Sequence, residues 1–559
     1  MQAAPKFDEA LIERSFVAAG LFVATAFITS RSDVSLPQLF SVEVRKRPVL
    51  GAQVRHNRSV PTKQESAEPT AHLNERVCER ARLARDARFD GRFFIGVTST
   101  RIYCRPICPA PEAKAKNVRY YASAAAAAEA GFRPCLRCRP EASPGTPAWL
   151  GASSTVSRAL KLIGESALDD GGVDDLAERL GIGSRHLRRL FLRFLGATPV
   201  AVAQTRRVHF AKKLIDETSL PMTQIAMAAG FGSIRRFNAT FQNLYGRAPG
   251  ELRKARLTES HKTRTAESRG ARGGATDEAG RFSFRLAYRP PYDWEALIGF
   301  LAGRAIPGVE TVTPDEYRRT ISLDGRTGMI AVRPARGNYL ELQVHYPDPA
   351  ALFRIVERVR RIFDVGADPA MIARRLGQDA RLKPTLRAHP GLRVPGCWDG
   401  FEMAVRAILG QQVSVKGAST MAGRVAAAFG KPTEHGTVFP DAARLADADL
   451  STIGLTRQRA RSISELAMTV KCGELKFDGM IDPADFEKKI TEIAGIGAWT
   501  AQYIAMRLGE PDAFPATDLY LKRVCAESES WRPWRAYAAM HVWTGSHDTG
   551  IKSQNGDAK

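Results

Sequence analysis

Cysteine placement constrains this chain more than any other feature of its sequence. Two close pairs, Cys104 and Cys108 in "IYCRPIC" and Cys135 and Cys138 in "PCLRC", are separated by 26 residues, while Cys78, Cys397, Cys472 and Cys525 stand alone. Eight cysteines in 559 residues are too few for a disulfide scaffold, and solitary thiols suit a reducing compartment. Two short pairs across a spacer have the form of a four-thiolate zinc site, each turn bringing two sulfurs to one tetrahedral ion. Such a knot either only holds a small domain together or presents a thiolate that reacts, and the spacing leaves both open.

A chain this long exceeds one core and divides into roughly three to five domains. Its 82 Lys and Arg against 59 Asp and Glu leave a formal charge of +23 over many segments, which points to an anionic polymer, nucleic acid first. The uncharged run "SFVAAGLFVATAFITS" (15–30) is shorter than the roughly 20 residues of a membrane span, and acidic Asp8, Glu9 and Glu13 precede it where a secretory leader is basic. No membrane partner is therefore expected, the expected location is cytoplasmic and nucleoid-associated, and residues 1–76 read as an extension without a pattern. Polar stretches at 141–149 and 258–280 read as linkers.

The middle of the chain repeats itself. "GATP" (196–199) and "GRAP" (246–249) recur 50 residues apart, with Phe191 and Phe241 at the same offset before them. In each copy a short helical pattern ("VDDLAERLG", "MTQIAMAAG") stops at Gly181 or Gly230, and a second starts near Ser184 or Ser233, expected as N-caps. This is a helix-turn-helix twice over. Leu187, Leu190, Phe191 and Phe194 form a core stripe beside Arg185, Arg188, Arg189 and Arg193, and Arg235 and Arg236 begin the matching helix of the second copy. Block 150–255 resembles the DNA-binding domain of AraC-type transcription activators, which implies two recognition helices docked in successive major grooves.

Residues 93–141, "FFIGVTSTRIYCRPICPAPEAKAKNVRYYASAAAAAEAGFRPCLRCRPE", closely resemble the amino-terminal domain of the Ada alkylation-response family. The resemblance implies that Cys104, Cys108, Cys135 and Cys138 bind one zinc ion and that Cys104 irreversibly accepts a methyl group from a methylphosphotriester in DNA. Zinc would keep that thiol deprotonated, and the thiolate is the nucleophile. Arg105, Arg119, Arg133, Arg137 and Arg139 are candidates to hold the phosphate backbone. Ada proteins also join this domain to an AraC-type module. Their usual O-6-methylguanine transferase motif, Pro-Cys-His-Arg, has no counterpart here, since no Cys-His pair occurs in the chain, and no activity of that kind is expected.

The last block opens with alternating segments around Asp324-Gly325 ("YRRTISL", "TGMIAVRP", "YLELQVHY"), which predict a hairpin; from about 350 onward the pattern is helical to the end. "ITEIAGIGAWTAQYIAMRLG" (490–509) reads as a helix-hairpin-helix, where Gly495 and Gly497 let a DNA phosphate approach the N-terminus of the following helix. With "FPATDLYL" (514–521) downstream it resembles helix-hairpin-helix DNA glycosylases, and residues 288–543 resemble the AlkA, or 3-methyladenine glycosylase II, family. The resemblance implies that Asp518 is catalytic, that Phe300, Trp499, Tyr503 and Trp543 wall a pocket for a flipped cationic purine, and that Gln412 occupies the wedge position. Trp499 stands where strand-cutting relatives carry a lysine, so the implied enzyme is monofunctional. Three positions depart from the family: Gln412 replaces an apolar wedge and Leu519 a tyrosine. The third is a deletion of about nine residues, over two turns of helix, between Asp518 and Trp531, able to misplace Trp531 to Trp543.

The expected fold is multidomain α+β: a small four-cysteine zinc domain (77–145), an all-α tandem helix-turn-helix domain (150–255), a linker (256–280), a mixed α/β subdomain (281–390), an all-α helix-hairpin-helix glycosylase domain (391–545) and a tail (546–559). Such a chain would accept methyl groups, activate promoters and excise alkylated purines, as a monomer on double-stranded DNA with RNA polymerase as a further partner. The rival expectation keeps the regulator and makes the last block a DNA-holding module impaired in catalysis.

Overall fold

Short apolar strands around the cysteines build the first sheet of the computed structural model, which describes residues 74–144, 154–169, 171–255, 280–477, 483–524 and 528–548. The run at 15–30, Cys525, residues 145–149 of the first linker, nearly all of the second and the tail beyond 548 lie outside them. Helix α1 (Glu75–Leu83) precedes strands β1 (Phe94–Val97), β2 (Ile102–Cys104), β3 (Val118–Tyr121) and β4 (Arg133–Pro134), ordered β3-β1-β2-β4 with only the β2–β4 pair parallel. Phe94, Tyr103 and Phe132 are buried beneath α2 (Ala124–Glu129), whose alanines let it lie close to the sheet. Ser123 caps α2 and donates from its hydroxyl to the Leu195 carbonyl at 2.7 Å, fixing this domain to the next.

Helices α3 (Ser154–Gly164), α4 (Val173–Arg179), α5 (Ser184–Leu195), α6 (Pro199–Glu217), α7 (Met222–Ala228) and α8 (Ile234–Tyr245) form the tandem helix-turn-helix. Gly181 and Gly230 take φ of +69° and +75° at the two turns, and Gly196 and Gly246 end α5 and α8 at +66° each, the left-handed geometry that favours glycine. Phe191 and Phe241 are wholly buried, as their shared offset requires. Ser233 caps α8, but Ser184 is the first residue inside α5: Gly183 takes the extended cap conformation, without a side-chain bond.

Strands β5 (Arg281–Ala287), β6 (Glu310–Thr313), β7 (Glu316–Leu323), β8 (Arg326–Ala335) and β9 (Tyr339–His345) make an antiparallel sheet ordered β5-β9-β8-β7-β6. The expected hairpin is β7–β8, with Asp324 and Gly325 both at positive φ; β5 and β6 were not expected. Helices α9 (Trp294–Gly303) and α10 (Leu352–Ile362) pack on this sheet, and the apolar core they share continues into α6, α7 and α8 through Phe210, Ile225 and Phe237.

The remainder is helical: α11 (Pro369–Leu376), α12 (Lys383–Ala388), α13 (Gly400–Leu409), α14 (Val415–Phe429), α15 (Ala442–Ala446), α16 (Arg457–Lys471), α17 (Pro483–Thr491), α18 (Ala498–Arg507), α19 (Leu519–Val524) and α20 (Arg535–Asp548). Helix α13 is buried all round at its centre. It is tied to the sheet by Glu402, which takes Arg319 at 2.7 Å and Arg406 at 3.2 Å. One expectation fails here: a hairpin, β10 (Lys431–Thr433) and β11 (Gly436–Val438), interrupts the helices. Three-residue strands leave no period to read, and this pair is held by tertiary bonds, Thr437 N–H to the Gly308 carbonyl at 2.8 Å and the Thr320 hydroxyl to the Thr437 carbonyl at 2.6 Å. Among the described residues no helix is long and apolar enough to cross a membrane.

Candidate functional site

Cys104 ends β2 opposite Ile95, and the turn after it returns Cys108, whose N–H donates to the Arg105 carbonyl at 3.2 Å. Cys135 follows β4 and donates from its N–H to Tyr103 at 3.0 Å, and the Arg139 N–H closes the turn that carries Cys138 inward, at 3.1 Å from the Cys135 carbonyl. The four sulfurs lie within 4.8 Å of one another, a span that suits a tetrahedral ion with Zn–S bonds of about 2.3 Å. None is in a disulfide, so the donor set fits zinc. Cys135 and Cys138 are buried while Cys104 and Cys108 are partly exposed, so a reagent in solution meets only the first pair.

Two of the arginines expected on phosphate are committed elsewhere. Arg105 is buried; its Nε donates to Asp90 at 2.8 Å and its Nη1 to the Cys138 carbonyl at 3.0 Å, propping the cysteine turn. Arg139 pairs with Asp216 at 2.7 Å. Arg119, Arg133 and Arg137 are exposed. So are Arg185, Arg188, Arg189 and Arg193 on α5 and Arg235 and Arg236 on α8, while Leu187, Phe191, Phe194, Phe237 and Phe241 turn inward.

In the helical block, Asp518 sits at the start of α19. Four N–H groups converge on its carboxyl: Trp499 Nε1 at 3.3 Å, Trp543 Nε1 at 3.2 Å, and the backbones of Tyr520 at 3.0 Å and Leu521 at 3.2 Å. The shortened segment therefore does not carry Trp543 away: α20 still delivers it, and Trp531 is buried with its Nε1 on Asp379 at 2.8 Å. Trp499 stacks on Tyr503 with centroids 5.2 Å apart, and Trp543 stands 6.4 Å from Tyr503 at 60°. Phe300 of α9 reaches the same wall through Arg507, whose guanidinium lies 5.0 Å from its ring and 5.9 Å from that of Tyr503.

Arg304 and Arg507 escaped the sequence reading. Each lies one helical turn after an aromatic of the expected pocket, Arg304 at 3.7 Å from the Phe300 ring and Arg507 donating to the Tyr503 hydroxyl at 3.0 Å, a spacing that could have revealed them. Burial raises the Tyr503 phenol, but the charges of Arg507 and Arg304 outweigh it and bring it down to about 8.

The hairpin between α17 and α18 buries Ile493 and Ile496 and exposes both glycines. Gly495 has φ +88°, and a Cβ there would meet the Ser462 hydroxyl at 2.6 Å, so the fold itself demands glycine. Gly497, the N-cap of α18, is different: its φ is −93° and a Cβ would meet nothing within 4 Å. Gln412, exposed at φ +54°, is held beside this hairpin because Gln411 donates to the Gly495 carbonyl at 2.8 Å and to the Thr500 hydroxyl at 3.0 Å.

Four families match successive parts of the chain: the metal binding domain of Ada (77–141), a helix-turn-helix domain (176–255), the AlkA N-terminal domain (283–399) and the HhH-GPD superfamily base excision DNA repair proteins (405–541). The Mycobacterium tuberculosis protein named "Probable bifunctional transcriptional activator/DNA repair enzyme AlkA" is 41% identical over 486 residues, covering 84% of this chain and 95% of that one. DNA-3-methyladenine glycosylase 2 of Escherichia coli is 35% identical over 282 residues, 46% of this chain and 96% of its own. The bifunctional transcriptional activator/DNA repair enzyme Ada of Escherichia coli is 36% identical over 149 residues, 27% of this chain and 40% of its own. With four domain families in one polypeptide and a relative matched over nearly its whole length, the chain belongs to the family of bifunctional transcriptional activator/DNA repair enzymes AlkA.

Proposed function

We propose that the chain repairs alkylated DNA at two sites and reports the damage at a third. At the first, Cys104 is the methyl acceptor. Its sulfur takes the methyl carbon of a phosphotriester, the carbon–oxygen bond breaks, and the phosphodiester leaves as an anion while a thioether forms. Zinc held by Cys104, Cys108, Cys135 and Cys138 would keep the accepting sulfur a thiolate at neutral pH. The partial exposure of Cys104 supports this role, as does the exposure of Arg119, Arg133 and Arg137 in the same domain.

At the second site Asp518 serves excision of an alkylated purine. The N-glycosyl bond breaks with its electron pair going to the base, already a good leaving group because methylation at N3 or N7 makes it cationic. Asp518 stabilises the positive sugar and accepts a proton from the water that adds to it. Trp499, Tyr503, Trp543 and Phe300 stack against the flipped base. No amine stands at Trp499, so the product is an abasic site in an uncut strand. Promoter binding falls to Arg185, Arg188, Arg189, Arg235 and Arg236, and damage-site binding to Gly495, Gly497 and Gln412. The chain acts as a monomer in the cytoplasm on nucleoid DNA, with RNA polymerase its second partner.

The observation that carries the excision reading, and favours it over a module that merely holds DNA, is the pair of indole N–H groups aimed at Asp518 from two separate helices. The test is release of methylated purines from DNA by the purified protein. Asp518→Asn should bind the DNA normally and release bases at least a hundredfold more slowly, an electrostatic loss of roughly 3 kcal/mol. Equal release by both proteins would assign the chemistry elsewhere.

A further inference from the structure

Outside the four-cysteine cluster, two imidazoles point at one another from segments 90 residues apart. His345 closes β9, opposite Met329 of β8 and Arg281 of β5. Glu434 and His435 are the two turn residues of the β10–β11 hairpin, between the paired Thr433 and Gly436. His345 Nδ1 stands 2.6 Å from His435 Nε2, their rings inclined at 63° with centroids 4.7 Å apart, and a Glu434 carboxylate oxygen lies 3.2 Å from the same Nε2. One ligand atom from each of the three residues falls within 4.8 Å of the other two.

We infer that His345, Glu434 and His435 form a second metal site, for a divalent transition ion of the zinc, cobalt and nickel class. Two ring nitrogens this close can share a single proton, and a carboxylate is brought to the same point. Two imidazoles and a carboxylate are the nitrogen and oxygen donors that such ions take. Bonds of about 2.0–2.1 Å in a tetrahedral shell would set the two nitrogens roughly 3.3 Å apart, so the rings need to open by less than about 1 Å. The turn permits that: the Glu434 side chain is 76% exposed, and His435 keeps 19%, which leaves a solvent path for the ion and for the water that would complete its shell.

The site joins what the fold builds separately. His345 belongs to the sheet that precedes the helical block, the hairpin belongs to the block itself, and no residue of either base-excision or methyl-acceptor machinery takes part. Its role is a clamp, adding a third tie where Thr437 already holds the hairpin through its N–H to the Gly308 carbonyl and through its carbonyl to the Thr320 hydroxyl of β7.

The test uses the full-length chain and cobalt(II) as the probe. An ion on four thiolates gives intense near-ultraviolet charge-transfer bands; one on two imidazoles and a carboxylate gives only weak visible bands. Wild type should bind two equivalents, the second without added near-ultraviolet absorption. His435→Gln, in the exposed turn, should bind one equivalent and keep the thiolate bands, and Glu434→Gln should weaken the second equivalent at least about tenfold, a ligand's loss costing no less than that of an outer-shell partner. The second equivalent of zinc should raise the melting temperature of wild type and not that of His435→Gln. If His435→Gln proves unstable, His345→Gln must reproduce the loss of the second equivalent. A single equivalent in wild type, or two in every variant, would establish an ordinary His–His hydrogen bond and overturn the site.

Discussion

Tyr503 does more than stack. Its hydroxyl accepts from Arg507, and its phenol, lowered to about 8, will ionise within the range where the protein can be studied. Titrated by tyrosinate absorbance, the native chain should show one tyrosine ionising near pH 8, and Tyr503→Phe should lack it. The stability consequence has a definite sign: the folded value lies below the unfolded one near 10, so this group's contribution is complete above pH 10 and is lost as pH falls through 8. Tyr503→Phe should therefore flatten any rise in melting temperature between those limits. The aromatic residues around Asp518 were legible because the chain resembles glycosylases over that stretch. The guanidiniums behind them were carried only by their one-turn spacing from Phe300 and Tyr503, a signal easily passed over because a helical arginine reads first as a solvated face. Arg105 misled in the same way: its partner Asp90 lies 15 residues earlier, in an irregular segment with no period to mark it.

At the scale of the element, the hairpin before α18 separates what the fold needs from what a ligand needs. Gly495→Ala must place a Cβ at positive φ against Ser462, and should cost about 1–3 kcal/mol of stability. Gly497→Ala enters open space, so it should leave the melting temperature unchanged while weakening DNA binding, because only an approaching phosphate would meet the new methyl group. Unchanged DNA affinity in Gly497→Ala would remove the hairpin from the interface. Long periodic helices and the β7–β8 hairpin were readable from the sequence alone, through their apolar spacing and the Asp324-Gly325 turn. Strand β6, four residues at a sheet edge, and the β10–β11 hairpin were not, because pairing with distant segments selects them rather than local preference. Ser184 was read as a cap because serine is the better capping residue; the backbone at Gly183 took the position instead.

Across the whole molecule, the zinc domain is fastened on two sides. Tyr103 bonds His209 of α6 at 2.9 Å, and Arg92 reaches Asp368, whose side chain is fully buried at the start of α11, at 3.1 Å. Arg92→Ala would leave that carboxylate the Met371 N–H, 3.0 Å from its other oxygen, and the charge of Arg289, and should destabilise the junction by about 2–3 kcal/mol, seen as an early melting transition absent from wild type. The same rigidity bears on signalling. Methylating Cys104 removes one negative charge beside an anionic duplex, worth roughly 1 kcal/mol at about 4 Å in water and about 4 kcal/mol at an effective dielectric of 20. Methylated protein should bind its promoter more tightly than unmodified protein by several-fold or more, with the advantage shrinking as salt rises; equal affinities at low salt would leave Cys104 a repair acceptor only.

The half-exposed Cys104 sulfur and the indole-held Asp518 differ in what they have left after one event. Under the proposed function a thioether would not return its methyl group, so the first site would be spent once per polypeptide, whereas the second would be regenerated at every turnover. Each molecule would then register a single hit and go on working. The number of copies in a cell would set the largest dose that can be counted, and dilution by growth, rather than any reverse reaction, would reset the count.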